Sequence, residues 1–399
     1  MALIAADATQ LPLAMLMVFG TAKLLSELFE HFGQPGIVAE ILAGILLGPH
    51  VLGWVEPNEL IVAFAELGVM FLLFRVGLEV KASEFIRVGY TAAIIALLGV
   101  ILPFIAGWLL ATAFHHESIE SVFVGAAMVA TSVGITARFL ASKGLLQARA
   151  SRIILAAAVI DDVLGLIVLA VVTSIARGNV NVAQLTLTAV LALGFIVMVV
   201  RWGTRAMGAI LPQISQKLRS GEGQFTLAMC LLFGLSVLSI YAGVAAIIGA
   251  FLAGMALAET VDRRVHDLTN GVAELFTPFF LVGIGLRFNF TAFANVSTVV
   301  FAIVILLAAI LSKVVGCGLP AIKGGKRDAL RIGIGMIPRG EVGMVVAQIG
   351  LAMSVISDRV FGVVVFMSVM TTLISPPLLN WAYKDVKAQA AIETRFRIG

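Results

Sequence analysis

Long apolar stretches separated by short polar loops run along the whole chain. An α-helix needs roughly 20 mostly apolar residues to cross a bilayer. Strands of a membrane barrel would instead alternate apolar and polar residues, which these stretches do not. The pattern predicts an all-α polytopic membrane protein with about thirteen transmembrane helices, near residues 11–29, 36–54, 60–78, 89–113, 121–141, 151–176, 182–200, 223–240, 242–258, 271–287, 294–318, 330–352 and 359–383.

The composition agrees with a lipid environment. Of the 399 residues, 60% are hydrophobic and 13% are charged, whereas soluble proteins are about 45–50% apolar and about 25% charged. Cytosolic enzymes, secreted disulfide scaffolds and nucleic-acid binders are thereby excluded. Cys230 and Cys317 lie in apolar stretches and are expected to be packed, free thiols. The expected partner is membrane lipid, with no nucleic acid, nucleotide or cofactor.

Lysines and arginines are concentrated in alternate loops. If the N-terminus is outside, the cytoplasmic segments carry 20 of the 27 basic residues, and the outer loops carry only Arg177, Arg287 and Arg359. An excess of Lys and Arg in cytoplasmic loops is the usual determinant of orientation. The distribution therefore predicts an external N-terminus and a cytoplasmic C-terminus.

Two pairs of segments resemble each other at nearly the same spacing. Residues 65–80 match residues 273–288 at seven of sixteen positions, and the LAG of residues 42–44 recurs at 252–254. The partners lie seven predicted helices apart, which is an odd number, so the two halves would have opposite orientations. Inverted-topology repeats are typical of secondary transporters. The alternative is chance similarity between apolar helices.

The sixth predicted helix carries two adjacent acids, Asp161 and Asp162, midway along LAAAVIDDVLGLIVLA. Ionisable groups within the hydrocarbon region are costly and indicate a functional site. Successive helical residues point about 100° apart, so one carboxylate can join a charge pair while the other faces a cavity. Lys313, deep in the eleventh predicted helix, is the candidate partner for such a pair. Snorkelling of Lys313 to the inner interface is the alternative.

The fifth and twelfth predicted helices contain helix-weakening segments, ATSVGITAR and MIPRGEVG, at corresponding places in the repeat. Proline removes a backbone hydrogen bond, and glycine and threonine lower helix propensity. Paired interruptions of this kind indicate a midplane ion site. Arg339 is expected to compensate a helix-dipole end. The candidate residues of the two unwound, crossing segments are Thr131, Ser132, Gly134, Thr136, Pro338, Arg339, Gly340 and Glu341.

Other charges within the apolar stretches have structural explanations. Lys23 and Glu27 are one helical turn apart, which predicts a local ion pair. Glu66 and Glu274 lie where predicted helices begin, a position at which the helix dipole favours a carboxylate.

The motifs GIVAEILAGILLGP, FRVGLEV, ATSVGITAR, AAVIDDVLGLIVL, LSKVVG and PRGEVG together resemble the bacterial sodium/proton antiporters of the cation:proton antiporter superfamily. The likeness covers nearly the whole chain and points to the NapA-type branch of the Kef-like group, the monovalent cation:proton antiporter-2 branch. The resemblance implies an NhaA/NapA-like fold with thirteen helices, inverted-topology repeats and two crossing discontinuous helices. It also implies a homodimer in a bacterial inner membrane.

The resemblance further implies roles for the site residues. Asp162 would bind the cation, with Thr131 and Ser132 as further ligands, and Asp161 would pair with Lys313. An Asp-Asp pair implies electrogenic exchange of cytoplasmic Na+ or Li+ for external H+, which serves pH homeostasis and sodium tolerance. Such a chain is a secondary active transporter, not an enzyme. A K+/H+ antiporter on the same scaffold and a cation channel are the alternatives.

The same resemblance implies a division of the chain for elevator-type alternating access. The core, ion-transport segments are expected near 60–176 and 271–383, and the dimerisation segments near 11–54 and 223–258. A linker helix is expected near 182–200, and no soluble regulatory domain is expected.

Overall fold

The computed structural model describes residues 11–32, 34–176, 182–215, 223–289, 293 and 295–386, and these segments contain helices and no strands. Arg177 therefore lies outside the described residues. The helices are α1 (Leu11–His31), α2 (Gly36–Leu47), α3 (Glu59–Leu78), α4 (Ala82–Ala113), α5 (Ser118–Ala127), α6 (Val133–Ser142), α7 (Arg149–Ala176), α8 (Val182–Met198), α9 (Thr204–Ser215), α10 (Gly223–Tyr241), α11 (Ala246–Leu257), α12 (Arg263–Leu286), α13 (Val296–Ala321), α14 (Lys326–Gly335), α15 (Glu341–Ala352) and α16 (Asp358–Ala382).

Most predicted segments correspond to one continuous helix, and two correspond to interrupted pairs. Segment 121–141 is divided between α5 and α6, and segment 330–352 between α14 and α15. Segment 182–200 begins as α8 and continues through a π-helical turn, Val199–Gly203, into α9. Among the described residues, nine helices are long and apolar enough to cross a bilayer, and five further apolar helices are shorter. The number of thirteen crossings stays a prediction.

Helix α12 begins at Arg263, well before the predicted start at residue 271. Its first two turns are rich in charged and polar residues, which an apolar-length rule does not count as part of a span. Glu274 consequently lies inside the helix and not at its N-terminus, and Glu66 likewise lies beyond the first turn of α3, which begins at Glu59. The expectation that these two carboxylates interact with a helix dipole at an N-terminus is therefore wrong.

Two close helix crossings use glycines from the internal repeat. An added Cβ at Gly44 would lie 3.0 Å from Gly285 Cα, so α2 and α12 meet backbone to backbone. At the crossing of α3 and α11, an added Cβ at Gly254 would lie 3.0 Å from the carbonyl carbon of Gly77. Gly44 corresponds to Gly254, and Gly77 to Gly285, in the repeated sequences. Each crossing therefore joins a glycine of one half of the repeat to a glycine of the other half, and the two crossings use equivalent positions. This is the arrangement expected of two halves related by a pseudo-two-fold axis.

The helices pack in two groups, which we call the first and the second group. The first contains α1–α3 with α10–α12, and the second contains α4–α7 with α13–α16. Phe74 and Leu232 belong to an apolar cluster inside the first group, whereas Phe123 and Met367 belong to one inside the second. The largest buried cluster extends across both groups. Although the sequence assigned α3 and α12 to the core segments, both helices pack against α2 or α11 in the first group.

Candidate functional site

Two short interruptions of helical structure cross in the second group. Residues 128–132 separate α5 from α6, and residues 336–340 separate α14 from α15. The amide of Ser132 donates a 2.7 Å hydrogen bond to the Pro338 carbonyl, which joins the two interruptions directly. An added Cβ at Gly340 would lie 2.5 Å from the Ser132 hydroxyl oxygen. Only glycine at position 340 allows this approach.

The first interruption ends earlier than the sequence predicts. Gly134 and Thr136 lie in α6, which begins at Val133, and not in the unwound segment. The Thr136 hydroxyl donates a 2.7 Å hydrogen bond to the carbonyl of Gly335, the last residue of α14. It thereby satisfies one of the carbonyls that a helix C-terminus leaves without an intrahelical donor. Glu341 begins α15, but its side chain lies outside the described part of the structure.

Arg339 is fully buried in the second interruption. Its guanidinium donates hydrogen bonds to the carbonyls of Val129 (2.9 Å) and Ala130 (3.2 Å), just beyond the end of α5. It also donates to the Ala309 carbonyl on α13 at 3.1 Å. The C-terminal end of a helix carries partial negative charge, so a cation at this position is stabilising. Arg339 thus holds α5, α13 and the crossing together.

Two threonines on α16, which the sequence reasoning missed, hold the backbone of Arg339. The Arg339 amide donates to the Thr371 hydroxyl at 3.2 Å, and the Thr372 hydroxyl donates to the Arg339 carbonyl at 2.9 Å. Both threonine side chains are fully buried. The sequence does contain a signal for this role, because two adjacent hydroxyl residues lie within an apolar helix. A buried hydroxyl needs a hydrogen-bond partner, so the pair indicates a polar contact with another part of the chain.

Asp161 and Lys313 form a buried ion pair between α7 and α13. The Lys313 Nζ lies 2.9 Å from Asp161 Oδ1, and both side chains have no exposed surface. The second carboxylate oxygen, Asp161 Oδ2, is buried without a hydrogen-bond partner among the described residues. The attraction between two charges grows as the surrounding dielectric constant falls, so this pair is strongly coupled. Arg339 is close enough to interact electrostatically with both members.

Helix α4 covers this ion pair by means of a glycine that the sequence reasoning also missed. An added Cβ at Gly99 would lie 2.7 Å from Cys317 Sγ and 3.5 Å from Lys313 Nζ. Cys317 follows Lys313 by one helical turn, is buried, and lies with Sγ 3.8 Å from the Ile95 carbonyl. Both cysteines are free thiols, and Cys317 is buried as predicted, whereas Cys230 is exposed, so the expectation that it is packed is wrong.

Asp162, which follows Asp161 on α7, is also buried. Helix α7 packs against all four half-helices, α5, α6, α14 and α15. Its Asp161 is close enough to Arg339 of the second interruption to interact with it electrostatically. In the first interruption, the hydroxyl oxygens of Thr131 and Ser132 are buried and have no hydrogen-bond partner among the described residues. Buried polar oxygens normally have a partner. These oxygens are therefore available to a ligand.

A network of ion pairs connects the two groups of helices. Arg138, on α6 of the second group, lies 3.1 Å from Glu274 on α12 and 3.6 Å from Glu40 on α2. Lys23 on α1 lies 3.2 Å from Glu274 and 3.5 Å from Glu40. Arg75 on α3 lies 3.2 Å from Glu274. Five helices thus share two carboxylates, and Arg138 is the member that belongs to the second group.

The sequence predicted a different pairing for Lys23. The expected partner was Glu27, one turn away, whereas the structure pairs Lys23 with Glu40 and Glu274. Spacing within one helix cannot reveal contacts between helices that are distant in the sequence. Glu40 is only 1% exposed, so a nearby cation stabilises its carboxylate more strongly than it would stabilise an acid in water.

The chain matches the family of transmembrane sodium/hydrogen exchangers over residues 14–383. It belongs to the sodium/hydrogen exchanger family. This exchanger is 32% identical over 385 residues to the Na+/H+-K+ antiporter GerN of Bacillus cereus, an alignment that covers 94% of the chain and 97% of GerN. It is 32% identical over 373 residues to a Na+/H+ antiporter of Enterococcus hirae, covering 91% of the chain and 95% of that relative.

The exchanger also has the fold of a solved antiporter structure. The sodium proton antiporter MjNhaP1 of Methanocaldococcus jannaschii superposes with a TM-score of 0.68 at 18% identity, covering 94% of this chain and 97% of MjNhaP1. At that identity the likeness concerns the fold alone. The exchanger is therefore a multi-pass helical membrane protein, and its assignment to the NapA-type, Kef-like branch stays a prediction.

Proposed function

We propose that this exchanger is an electrogenic Na+/H+ antiporter, which moves cytoplasmic Na+ or Li+ outward in exchange for external H+. The observation that carries the proposal is the pair of adjacent buried acids beside two crossing helix interruptions. Asp161 is held by Lys313 at 2.9 Å, and Asp162, Thr131 and Ser132 are all buried. Ionisable groups at such depth are costly, which favours a role in ion movement.

In this proposal Asp162 binds either the cation or a proton. A dehydrated Na+ needs several oxygen ligands, and the carboxylate of Asp162 supplies the charge. The hydroxyl oxygens of Thr131 and Ser132, together with carbonyls of the interruptions, replace water around the ion. Arg339 fixes the carbonyls of Val129 and Ala130 and is not itself a ligand. The cation and the proton compete, because both neutralise the same carboxylate.

Asp161 and Lys313 account for a second proton. When the pair is closed, the two charges cancel; when it opens, Asp161 can be protonated while Lys313 keeps its charge. Exchange of one Na+ for two protons moves one net positive charge per cycle. A membrane potential then contributes about 2.3 kcal/mol per 100 mV to transport. This step requires the buried Lys313, which is why the pair favours electrogenic exchange.

Transport also requires the site to face each side of the membrane in turn. We propose an elevator movement in which the second group carries the ion site past the first group. The glycine crossings tie α3 and α12 to α11 and α2, so we assign both helices to the static group. The ion pairs of Arg138 with Glu40 and Glu274 cross this boundary and must rearrange during each cycle.

The surroundings proposed for the antiporter follow from the sequence. We propose a bacterial inner membrane, with the N-terminus outside and the C-terminus in the cytoplasm. We also propose a homodimer whose contacts come from the first group, in which α1 and α10 present exposed apolar side chains such as Leu24, Leu28 and Val237. Cross-linking of native membranes through cysteines introduced on these two helices tests this arrangement.

The relative GerN makes K+ a second candidate ion, because its name includes K+. A carboxylate with two hydroxyls does not by itself fix the radius of the ion. In proteoliposomes that contain a pH-sensitive dye, Na+, Li+ and K+ can be compared directly. Flux that responds to K+ alone would leave the proposed antiporter fold unchanged but would make K+, and not Na+ or Li+, the transported ion.

The test of the proposed function is proton flux in these proteoliposomes, with the membrane potential clamped at several values. Asp162→Asn is expected to abolish cation-driven flux. Asp267→Asn, which alters an exposed acid on α12, serves as the matched control and should retain it. Full flux in the Asp162→Asn protein would refute the site, and flux that ignores the potential would refute electrogenic exchange. Conduction without a proton gradient would indicate a channel.

A further inference from the structure

A cavity of about 590 Å³ lies where α6 and α16 end, away from the acids on α7. Its lining combines polar and apolar side chains from three parts of the chain: the α1–α2 connection, the end of α6 with the following loop, and the end of α16. The residues are Gln34, Phe139, Lys143, Leu145, Pro377, Asn380, Trp381, Tyr383, Lys384 and Val386.

The charge of this cavity is positive and uncompensated. Its lining includes Lys143 and Lys384 but no acidic side chain, and neither lysine has an ion-pair partner among the described residues. The neighbouring Asp385 is already 3.1 Å from Arg327. By contrast, the nearby cavity that contains the Arg138 network mixes acidic and basic side chains. Of these two cavities, the one at Lys143 and Lys384 offers two cations without acidic neighbours in its lining to an external anion.

The neighbouring Arg331 adds no net charge to the cavity, because Asp328 lies 3.0 Å from its guanidinium. The guanidinium of Arg331 lies 5.2 Å from the centre of the Tyr383 ring. Tyr383 itself is buried, and burial raises the pKa of its hydroxyl to about 12 although the hydrogen bond to Ser151 opposes the shift. The phenol is therefore neutral at physiological pH and adds no negative charge to the cavity.

The apolar part of the lining indicates what kind of anion fits. Trp381 is 63% exposed, and Phe139, Leu145 and Pro377 line the same space. Tryptophan is enriched at the boundary between lipid and water, where its ring meets the headgroup region. The amides of Gln34 and Asn380 supply hydrogen-bond donors that match phosphate and glycerol oxygens.

We propose that this cavity binds a phosphate-bearing anion, and specifically the headgroup of an anionic phospholipid. The two lysines attract the phosphate, the amides donate hydrogen bonds, and Trp381 contacts the adjoining glycerol and acyl carbons. Gln34 belongs to the first group of helices, whereas the rest of the lining belongs to the second. A bound headgroup would therefore contact both groups at once. Binding itself does not depend on the proposed transport.

The experiment uses Trp381 as the reporter. In full-length protein whose other three tryptophans are replaced by phenylalanine, brominated lipids quench Trp381 fluorescence on contact. Brominated phosphatidylglycerol, titrated into detergent-solubilised protein, is expected to quench at lower concentration than brominated phosphatidylcholine. Each lysine near an anionic lipid contributes about fivefold in affinity. The Lys143→Gln/Lys384→Gln variant should therefore need roughly thirtyfold more phosphatidylglycerol.

The matched control is Lys323→Gln/Lys326→Gln, which removes two other exposed lysines that lie outside the cavity. It should leave the phosphatidylglycerol titration unchanged. Inorganic phosphate added as a competitor distinguishes the sources: displacement of the lipid indicates a site for the phosphate group alone, and no displacement indicates that the whole headgroup and its chains are required. Equal quenching by both lipids, or equal losses in both lysine variants, would overturn the proposal.

Discussion

Removing the ammonium group of Lys313 should leave a buried carboxylate without its partner. In the Lys313→Met variant, Asp161 Oδ1 loses a donor that lies 2.9 Å away. Its other oxygen, Oδ2, already lacks a hydrogen-bond partner among the described residues. Water cannot replace the lost donor without rearrangement, because both side chains are fully buried in the native protein.

The size of the effect follows from this burial. Breaking a buried ion pair by removing one partner costs about 3–5 kcal/mol, whereas removing both charges is often neutral. We therefore expect Lys313→Met to lose about 3–5 kcal/mol at neutral pH, and Lys313→Met/Asp161→Asn to recover most of it.

Unfolding by a denaturing detergent in mixed micelles, followed by circular dichroism at neutral pH, measures these free energies. Lys323→Met alters an exposed lysine just beyond α13 and should change the free energy by less than about 0.5 kcal/mol. Two results would refute the reasoning. One is a Lys313→Met protein as stable as the parent at neutral pH. The other is a double variant no more stable than Lys313→Met.

Three further substitutions test the surrounding structure. Gly340→Ala introduces a Cβ only 2.5 Å from a neighbouring hydroxyl oxygen and should cost about 1–3 kcal/mol; Gly234→Ala, which meets nothing within 4 Å, should not, and equal losses of stability would contradict the crossing. Thr136→Val removes the 2.7 Å hydrogen bond to the end of α14 and should cost about 1–3 kcal/mol, because the carbonyl stays buried; an unchanged midpoint of thermal unfolding would argue against this. Ser151→Ala removes a hydrogen bond that lowers the pKa of Tyr383 against the larger effect of burial, so ultraviolet titration should give a higher pKa for Tyr383 than in the parent protein, and a lower pKa would show that the bond has the opposite effect.

Much of the fold follows from the apolar pattern alone. An uninterrupted apolar stretch in lipid has no alternative to a helix, because its backbone groups must be satisfied within the segment. The helix ends were less predictable, as α12 shows, because charged turns such as those after Arg263 extend a helix beyond its apolar part. The close contact between Gly44 and Gly285 could not be predicted from the sequence, since a repeat predicts that two halves are related by symmetry but not which atoms come into contact.

The candidate site was partly accessible from the sequence for a similar reason. Few ionisable residues lie deep in apolar stretches, so Asp161 had few possible partners, and Lys313 was one of them. The roles of these residues in transport stay predictions. Gly99 and Thr371 escaped notice because a glycine or a hydroxyl in an apolar helix is common, and its importance depends on which atom of another helix faces it. The ion-pair partners of Arg138, Glu40 and Glu274, could not be predicted because they are distant from it in the sequence and lie on other helices.

The charges around the crossing also explain why the two halves of the repeat are not equivalent. Thr136 supplies a neutral donor to the end of α14, whereas the guanidinium of Arg339 supplies a charged one to the end of α5. The position that corresponds to Arg339 in the first half is Thr131, 208 residues earlier. Because position 131 carries a hydroxyl and not a guanidinium, its oxygen is one of the buried oxygens without a hydrogen-bond partner among the described residues. The asymmetry of the repeat therefore leaves the proposed ligand oxygens in the first interruption and the fixed positive charge of Arg339 in the second.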